Sequence, residues 1–181
     1  DYTSVDKLKV IEKQAERFDA GLWQALADAG LLGLDIGEAH GGTELGFYSL
    51  TTLCEEVGRT VAPVPVIPVL VSAAGTLRRF AKDAAKDHWL PGIANGSAVI
   101  TAALDEYNND DPAAPGCTAK KVEGGFSISG TKICVSHARS AARILVSAKA
   151  GEKLIVALVD PRAAGVTLNP QRVTTGDTQH E

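Results

Sequence analysis

The stretch FSISGTKICVSHARSAARILVSA, residues 126–148, decides how the rest of the chain is read. Phe126 and Ile128 alternate with Ser127 and Ser129, Gly130 ends that run, and a second apolar run starts near Ala142 and continues through Ile144, Leu145 and Val146. The spacing predicts a strand, a polar crossing and a second strand. Between them, Lys132 to His137 reads as a short extended segment with Cys134 and Ser136 on one side and Ile133 and Val135 on the other. Such a segment offers backbone N–H and C=O groups to a flat polar ligand, and the same pattern equally suits a strand that only pairs with another.

Period-two alternation extends outward from this stretch. Val99–Leu104, Cys117–Val122, Phe126–Ser129, Arg143–Ser147 and Leu154–Val159 are expected strands, separated by turns rich in Gly, Pro or charge. Leu154–Val159 is apolar throughout and is expected to be a central strand covered on both faces. Upstream of Gly96 the period changes to three and four. Val5, Leu8, Ile11, Ala15, Phe18 and Leu22 form one stripe, and a second helix is expected through Leu22, Trp23, Leu26 and Ala29 with stops at Gly30 and Gly33. The segment Leu34–Glu44 reads as a loop whose His40 has no metal-ligand partner at suitable spacing. Thr43 is the expected cap of a helix carrying Phe47, Leu50, Leu53, Cys54 and Val57 and ending at Gly58. Val69–Phe80 and Lys82–Leu90 follow, the latter stopped by Pro91 and Gly92. The domains expected are residues 1–96, nearly all helix, and residues 97–181, nearly all strand.

With 181 residues and 45% apolar content the chain can bury a real core. Its net charge of −4, with Lys and Arg scattered, excludes a basic face for nucleic acid. Cys54, Cys117 and Cys134 are odd in number and lack CxxC spacing, which suits free thiols in a reducing compartment. No signal peptide is read at the N-terminus, and the apolar stretch near Val61–Ala74 is broken by Pro63, Pro65 and Pro68, so neither export nor membrane insertion is expected. The expected location is cytoplasmic. Asp105, Glu106, Asp110 and Asp111 lack the order of an EF-hand and read as a solvated acidic loop, with no metal.

In order along the chain, Gly30–Leu34 (GLLGL), Gly41–Gly42, Leu50, Leu53, Glu55–Glu56, Gly58–Arg59, Ala62 and Pro65, followed by Trp89–Pro91, resemble the helical N-terminal domain of the acyl-CoA dehydrogenase family. Gly130, Lys132, Val135 and Ser136 resemble the family's GxK(W)(I/V)(T/S) segment, which runs along the flavin. Cys134 stands where many members have Trp. The resemblance implies an α+β multidomain subunit: an all-α N-terminal domain, an antiparallel β-barrel-like middle domain, incomplete here, and a C-terminal helical bundle absent from this chain. It also implies FAD, with Leu104, Asp105, Cys134, Val135 and Ser136 as cofactor-binding residues. The active-site glutamate is then expected outside these residues, so no catalytic residue is assigned and Glu181 is not promoted to the role.

Residues 103–116, ALDEYNNDDPAAPG, depart from the TEPxxGSD-like run of flavin-bearing members. Such divergence resembles acyl-CoA dehydrogenases of actinobacterial steroid breakdown, in which two unlike subunits assemble. The implied activity is α,β-dehydrogenation of an acyl-CoA thioester, of a steroid or branched-chain type. The implied partners are an electron-transfer flavoprotein as acceptor and further subunits in a homo- or hetero-oligomer such as a heterotetramer. Two other readings stay open, a non-catalytic structural partner subunit and a flavin monooxygenase or nitroalkane-oxidase-like enzyme on the same scaffold.

Overall fold

The apolar stripe from Val5 to Leu22 does not remain helical along its length. Helix α1 covers Val5–Glu12 and α2 Ala20–Asp28, because Asp19 interrupts the stripe and caps α2: its Oδ1 accepts from Leu22 N–H at 3.0 Å. Lys7 of α1 reaches the same carboxylate at 2.7 Å, and Gly30, at φ +72°, closes the end of α2. The computed structural model describes residues 2–109, 111–174, 176 and 178–181. These fall into two units, Asp1–Ile100 and Thr101–Glu181.

In the first unit α3 (Gly46–Arg59), a π-helical segment (Ile67–Ala74), α4 (Gly75–Phe80) and α5 (Asp83–Ala94) follow. Thr43 does not cap α3. Its N–H is drawn to Gly33 O, and those of Glu44 and Gly46 to Ile36 O and Leu34 O, so the helix begins later. This doubled-back loop requires a bare Cα at Gly42, where a Cβ would stand 2.0 Å from Ile36 O. Helix α5 runs past Pro91 to Ala94, since a proline this close to the end removes only one helical bond, and Gly96 (φ +78°) provides the stop. Trp23, buried, donates its Nε1–H to Gly96 O at 3.0 Å, while Leu32, Leu50, Val66, Val69, Leu90 and Ile93 fill the core.

The second unit contains no helix among its described residues, and turns take up much of it. Its strands are β1 (Ile100–Ala103), β2 (Thr118–Val122), β3 (Gly125–Ser129), β4 (Val135–Ser136), β5 (Arg143–Ala150), β6 (Lys153–Val159), β7 (Pro170–Gln171) and β8 (Gln179–His180). Two hairpins, β2–β3 turning at Gly124 and β5–β6 turning at Gly151, supply most of the pairing. Strand β5 joins them: it pairs with β6 throughout, meets β2 in parallel at Thr118↔Lys149, and neighbours β1.

Among the described residues no sheet closes into a barrel, which corrects the barrel-like expectation. The five-stranded sheet is mixed in direction and open, with β3 paired only to β2 and β6 only to β5. The chain that follows β3 is diverted instead into a separate antiparallel sheet, β4-β8-β7, by left-handed backbone at Cys134 (φ +56°) and His137 (φ +51°). The apolar run 154–159 is therefore an edge strand and not a central one. Leu154 and Val156 remain 48% and 47% exposed.

Gly42→Ala is expected to destabilise the first unit by about 1–3 kcal/mol, since overpacking against backbone has no side chain to yield. Gly58→Ala, inside α3 with nothing near its Cβ position, should stabilise it by about 0.5–1 kcal/mol. Urea unfolding followed by tryptophan fluorescence checks both, because the chain's two tryptophans, Trp23 and Trp89, lie in this unit.

Candidate functional site

The polar half of the second unit is organised by Lys132. Its side chain is buried, and a primary ammonium has three protons to place. They go to Glu106 Oε1 at 2.7 Å, Ser147 Oγ at 2.8 Å and Leu104 O at 3.3 Å. Glu106 is buried as well and accepts further bonds from Cys117 N–H at 3.0 Å, Asn109 Nδ2 at 3.1 Å and Gly116 N–H. Burial alone would raise its pKa, but the Lys132 hydrogen bond and these neutral donors outweigh that and hold the carboxyl well below the usual range. The same burial, with Glu106 alongside, pushes the Cys117 thiol up to about 11, so Cys117 is an unreactive packing group at neutral pH.

Glu106 is thus not part of a solvated acidic loop. Asp105 and Asp111 are exposed, while Asp110 lies outside the described residues. Among the described residues no group of three or more His, Cys, Asp and Glu is placed to hold a metal ion, and no helix is long and apolar enough to cross a membrane.

The ammonium carries the segment 104–105 up against 133–136. Ile133 N–H donates to Asp105 O at 2.9 Å, and Lys132 holds Leu104 O, so the two stretches named from the sequence do meet. Leu104, Asp105 and Cys134 are exposed at this junction, Val135 is buried beneath it, and Ser136 is half-buried. The period-two geometry expected across 132–137 is confined to Val135–Ser136, because the positive φ at Cys134 turns the chain before β4 begins.

Strand register then settles what Ser136 offers. Val135 pairs with His180 and Ser136 with Gln179, and His137 N–H donates to Thr178 O at 3.1 Å. The hydrogen-bonded rungs are therefore 135↔180 and 137↔178. Ser136 falls between them, and its N–H and C=O point away from β8 to an edge that pairs with no strand among the described residues. Residues directly opposite share a face, so Ser136, Gln179 and Gln171, opposite one another across β4, β8 and β7, lie on one side of the sheet. Sequence reading missed Gln171, Gln179 and Glu106. The only hint was the position of Lys132 in the GxK segment, since partners 26 and 37 residues away leave no periodic trace.

Concavities accompany this geometry in both units. A cavity of about 360 Å³ in the second unit is lined by Cys117, Ile128, Lys132, Val146, Leu168 and Glu181 among others. A groove of about 520 Å³ in the first unit is lined by apolar residues of α2 and α3, including Leu22, Leu26, Leu53 and Val57. The carboxylate at its edge, Glu56, is engaged by Arg59.

Residues 4–97 match the family model described as the acyl-CoA dehydrogenase N-terminal domain. The chain belongs to the acyl-CoA dehydrogenase family. Acyl-CoA dehydrogenase FadE28 of Mycobacterium tuberculosis is 33% identical over 158 residues, which cover 87% of this chain and 44% of that protein. Among solved structures, a variant of the Tcur3481-Tcur3483 steroid ACAD is 40% identical with a TM-score of 0.92, the match covering 99% of this chain and 49% of that one. The ChsE4-ChsE5 complex from Mycobacterium tuberculosis is 27% identical with a TM-score of 0.90, covering 99% and 48%. The chain thus spans about half the length of the acyl-CoA dehydrogenases it matches.

The family implies a flavin, and the donor set on β4 fits the edge of such a ring. The open backbone N–H and the hydroxyl of Ser136, with the Gln179 amide on the hydroxyl's face, suit the uncharged carbonyls and nitrogens of a planar heterocycle, while the Gln171 oxygen is taken by Cys134 N–H. Ser136, Gln171 and Gln179 carry no positive charge, so this face is not built for a diphosphate.

Lys132→Met is expected to cost the second unit about 3–5 kcal/mol, because it leaves the Glu106 carboxylate buried without its counter-charge. Since the folded Glu106 carboxyl sits below its unfolded value of about 4.3, its contribution is complete above that pH and is lost as pH falls below it. Melting followed by far-UV circular dichroism between neutral and acid pH should show this loss in the wild type and a flatter profile in Glu106→Gln.

Proposed function

We propose that this protein acts as a flavin-dependent acyl-CoA dehydrogenase, introducing a double bond between the α- and β-carbons of a steroid or branched-chain CoA thioester. The single observation that carries the reading is the open edge of β4 at Ser136, set beside Leu104, Asp105 and Cys134. Its support from relatives is the 40% identity to a structure described as a steroid ACAD. Bound FAD would supply the acceptor for the hydride that leaves the β-carbon. The chain's own residues hold and orient. Ser136 N–H and Oγ meet the ring edge, Val135 anchors the strand beneath, and the Lys132–Glu106 pair keeps the 104–105 and 133–136 segments in register.

No residue of this chain is given the role of the base that removes the α-proton. Glu181 is already committed: its carboxylate accepts from Tyr107 OH at 3.0 Å, and its backbone pairs with Asn169. The assembly proposed is an oligomer with an unlike acyl-CoA dehydrogenase subunit, in line with the complex named for a relative at 27% identity, and an electron-transfer flavoprotein as final acceptor. A second reading, a subunit that shapes a neighbour's site without completing its own, draws on the exposed carboxylate of Asp105 beside the proposed ring edge.

Purification of the intact protein alone and with a co-expressed partner subunit, followed by anaerobic addition of acyl-CoA, distinguishes the two by flavin absorbance and its bleaching. Ser136→Ala should slow flavin reduction about tenfold, the scale of one hydrogen bond at roughly 1.4 kcal/mol, while leaving the melting temperature nearly unchanged. Unchanged flavin content, spectrum and reduction rate in this variant would exclude Ser136 from the site.

A further inference from the structure

Cys134 adopts left-handed backbone, φ +56°, which a residue with a Cβ holds only at a cost of about 1–3 kcal/mol unless its surroundings impose it. What imposes it comes from 37 residues further along the chain. The side chain of Gln171, on β7, accepts the Cys134 N–H on Oε1 at 2.7 Å. The same amide lies beside the Tyr107 hydroxyl, which donates to the Glu181 carboxylate at 3.0 Å. Glu181 is held by paired backbone bonds to Asn169, at 2.8 and 2.9 Å. Gln171 therefore ties β7 to the Cys134 turn, while Glu181 ties the 104–107 loop to the chain beside β7.

A neutral amide accepts from Cys134 N–H and keeps N–H donors to turn toward Tyr107. A leucine would leave Cys134 N–H without its acceptor, and a glutamate would lose the N–H donors and set a second carboxylate near Glu181. The turn at Cys134 is also where β4 starts, two residues before Ser136, so the angle at which Ser136 meets a ligand follows from it.

We propose that Gln171 is a positioning residue for the planar cofactor: by holding Cys134 in its left-handed turn and anchoring to Tyr107, it aims the Ser136 N–H and hydroxyl at the ring edge. This rests on the flavin reading of the same face. Gln171 acts through Ser136, so its loss and the loss of the Ser136 hydroxyl are coupled.

The test is a double-mutant cycle in the intact protein, purified with its partner subunit where one is required, stripped of flavin and titrated with FAD. Flavin fluorescence gives the affinity, and the visible absorption band gives the ring environment. Gln171→Leu should weaken FAD binding about tenfold, with a shifted absorption band. Combined with Ser136→Ala it should add little to the larger single effect, as coupled neighbours do. Wild-type affinity and spectrum in Gln171→Leu, or losses that simply add, would overturn the proposal while leaving the flavin reading intact. A wild type that takes up no FAD with or without the partner would remove both. Should Gln171→Leu fail to fold, Tyr107→Phe keeps the Cys134 acceptor and frees only the far end of the amide. It should show a smaller loss with the same coupling to Ser136, and additivity there would be equally fatal.

Discussion

A single ammonium group holds the irregular half of the β unit in shape. Lys132 Nζ spends its three protons on a carboxylate, a hydroxyl and a backbone carbonyl, each contributed by a different part of the chain. Burying two charges costs several kcal/mol per ion, and the pair is tolerable because the carboxylate is also served by two backbone N–H groups and an asparagine amide. The network gives specificity of arrangement more than net stability. It requires the 104–116 loop to fold inward at Glu106, and it draws Leu104 and Asp105 alongside Ile133 and Cys134.

Around that anchor the backbone is arranged by glycines and by left-handed residues placed where ordinary strands would have continued. Gly130, at φ +146°, passes so close to Cys117 that a Cβ would stand 2.4 Å from its sulfur. Cys134 and His137 bracket a strand only two residues long. The small sheet this creates is the reason the larger one stays open. The segment after β3 is spent on pairing with β8 instead of closing against β6. The same diversion leaves the Ser136 N–H and C=O at an edge that no described strand pairs, with its hydroxyl on the neighbouring polar face, which is the property that gives the site its proposed use.

Much of the first unit was legible in the sequence because helix signals are local. Leu50 and Leu53 fall on the buried face that the three-and-four spacing names, and Gly30 stops α2 as a residue with no Cβ can. The departures there had equally specific causes, such as Leu34 O taking the Gly46 N–H that a Thr43 cap would have needed. In the candidate site, Lys132 and Ser136 could be picked from their order in one short segment. Glu106 read as one acid among four, since nothing in NNDD-type composition tells which carboxylate turns inward. Gln171 gave no signal at all.

The sequence by itself determined that period-three-and-four runs become helices, that several alternating apolar runs become strands, and the family to which the chain belongs. Those properties follow from residue spacing and turn chemistry within a few positions of one another. Tertiary structure alone decided that the apolar run 154–159 lies at an edge, that no barrel closes, that Glu106 is buried against Lys132, and that Gln171 reaches Cys134. Each depends on pairing across tens of residues, or on a backbone angle at Cys134 that an alternating pattern of side chains does not encode.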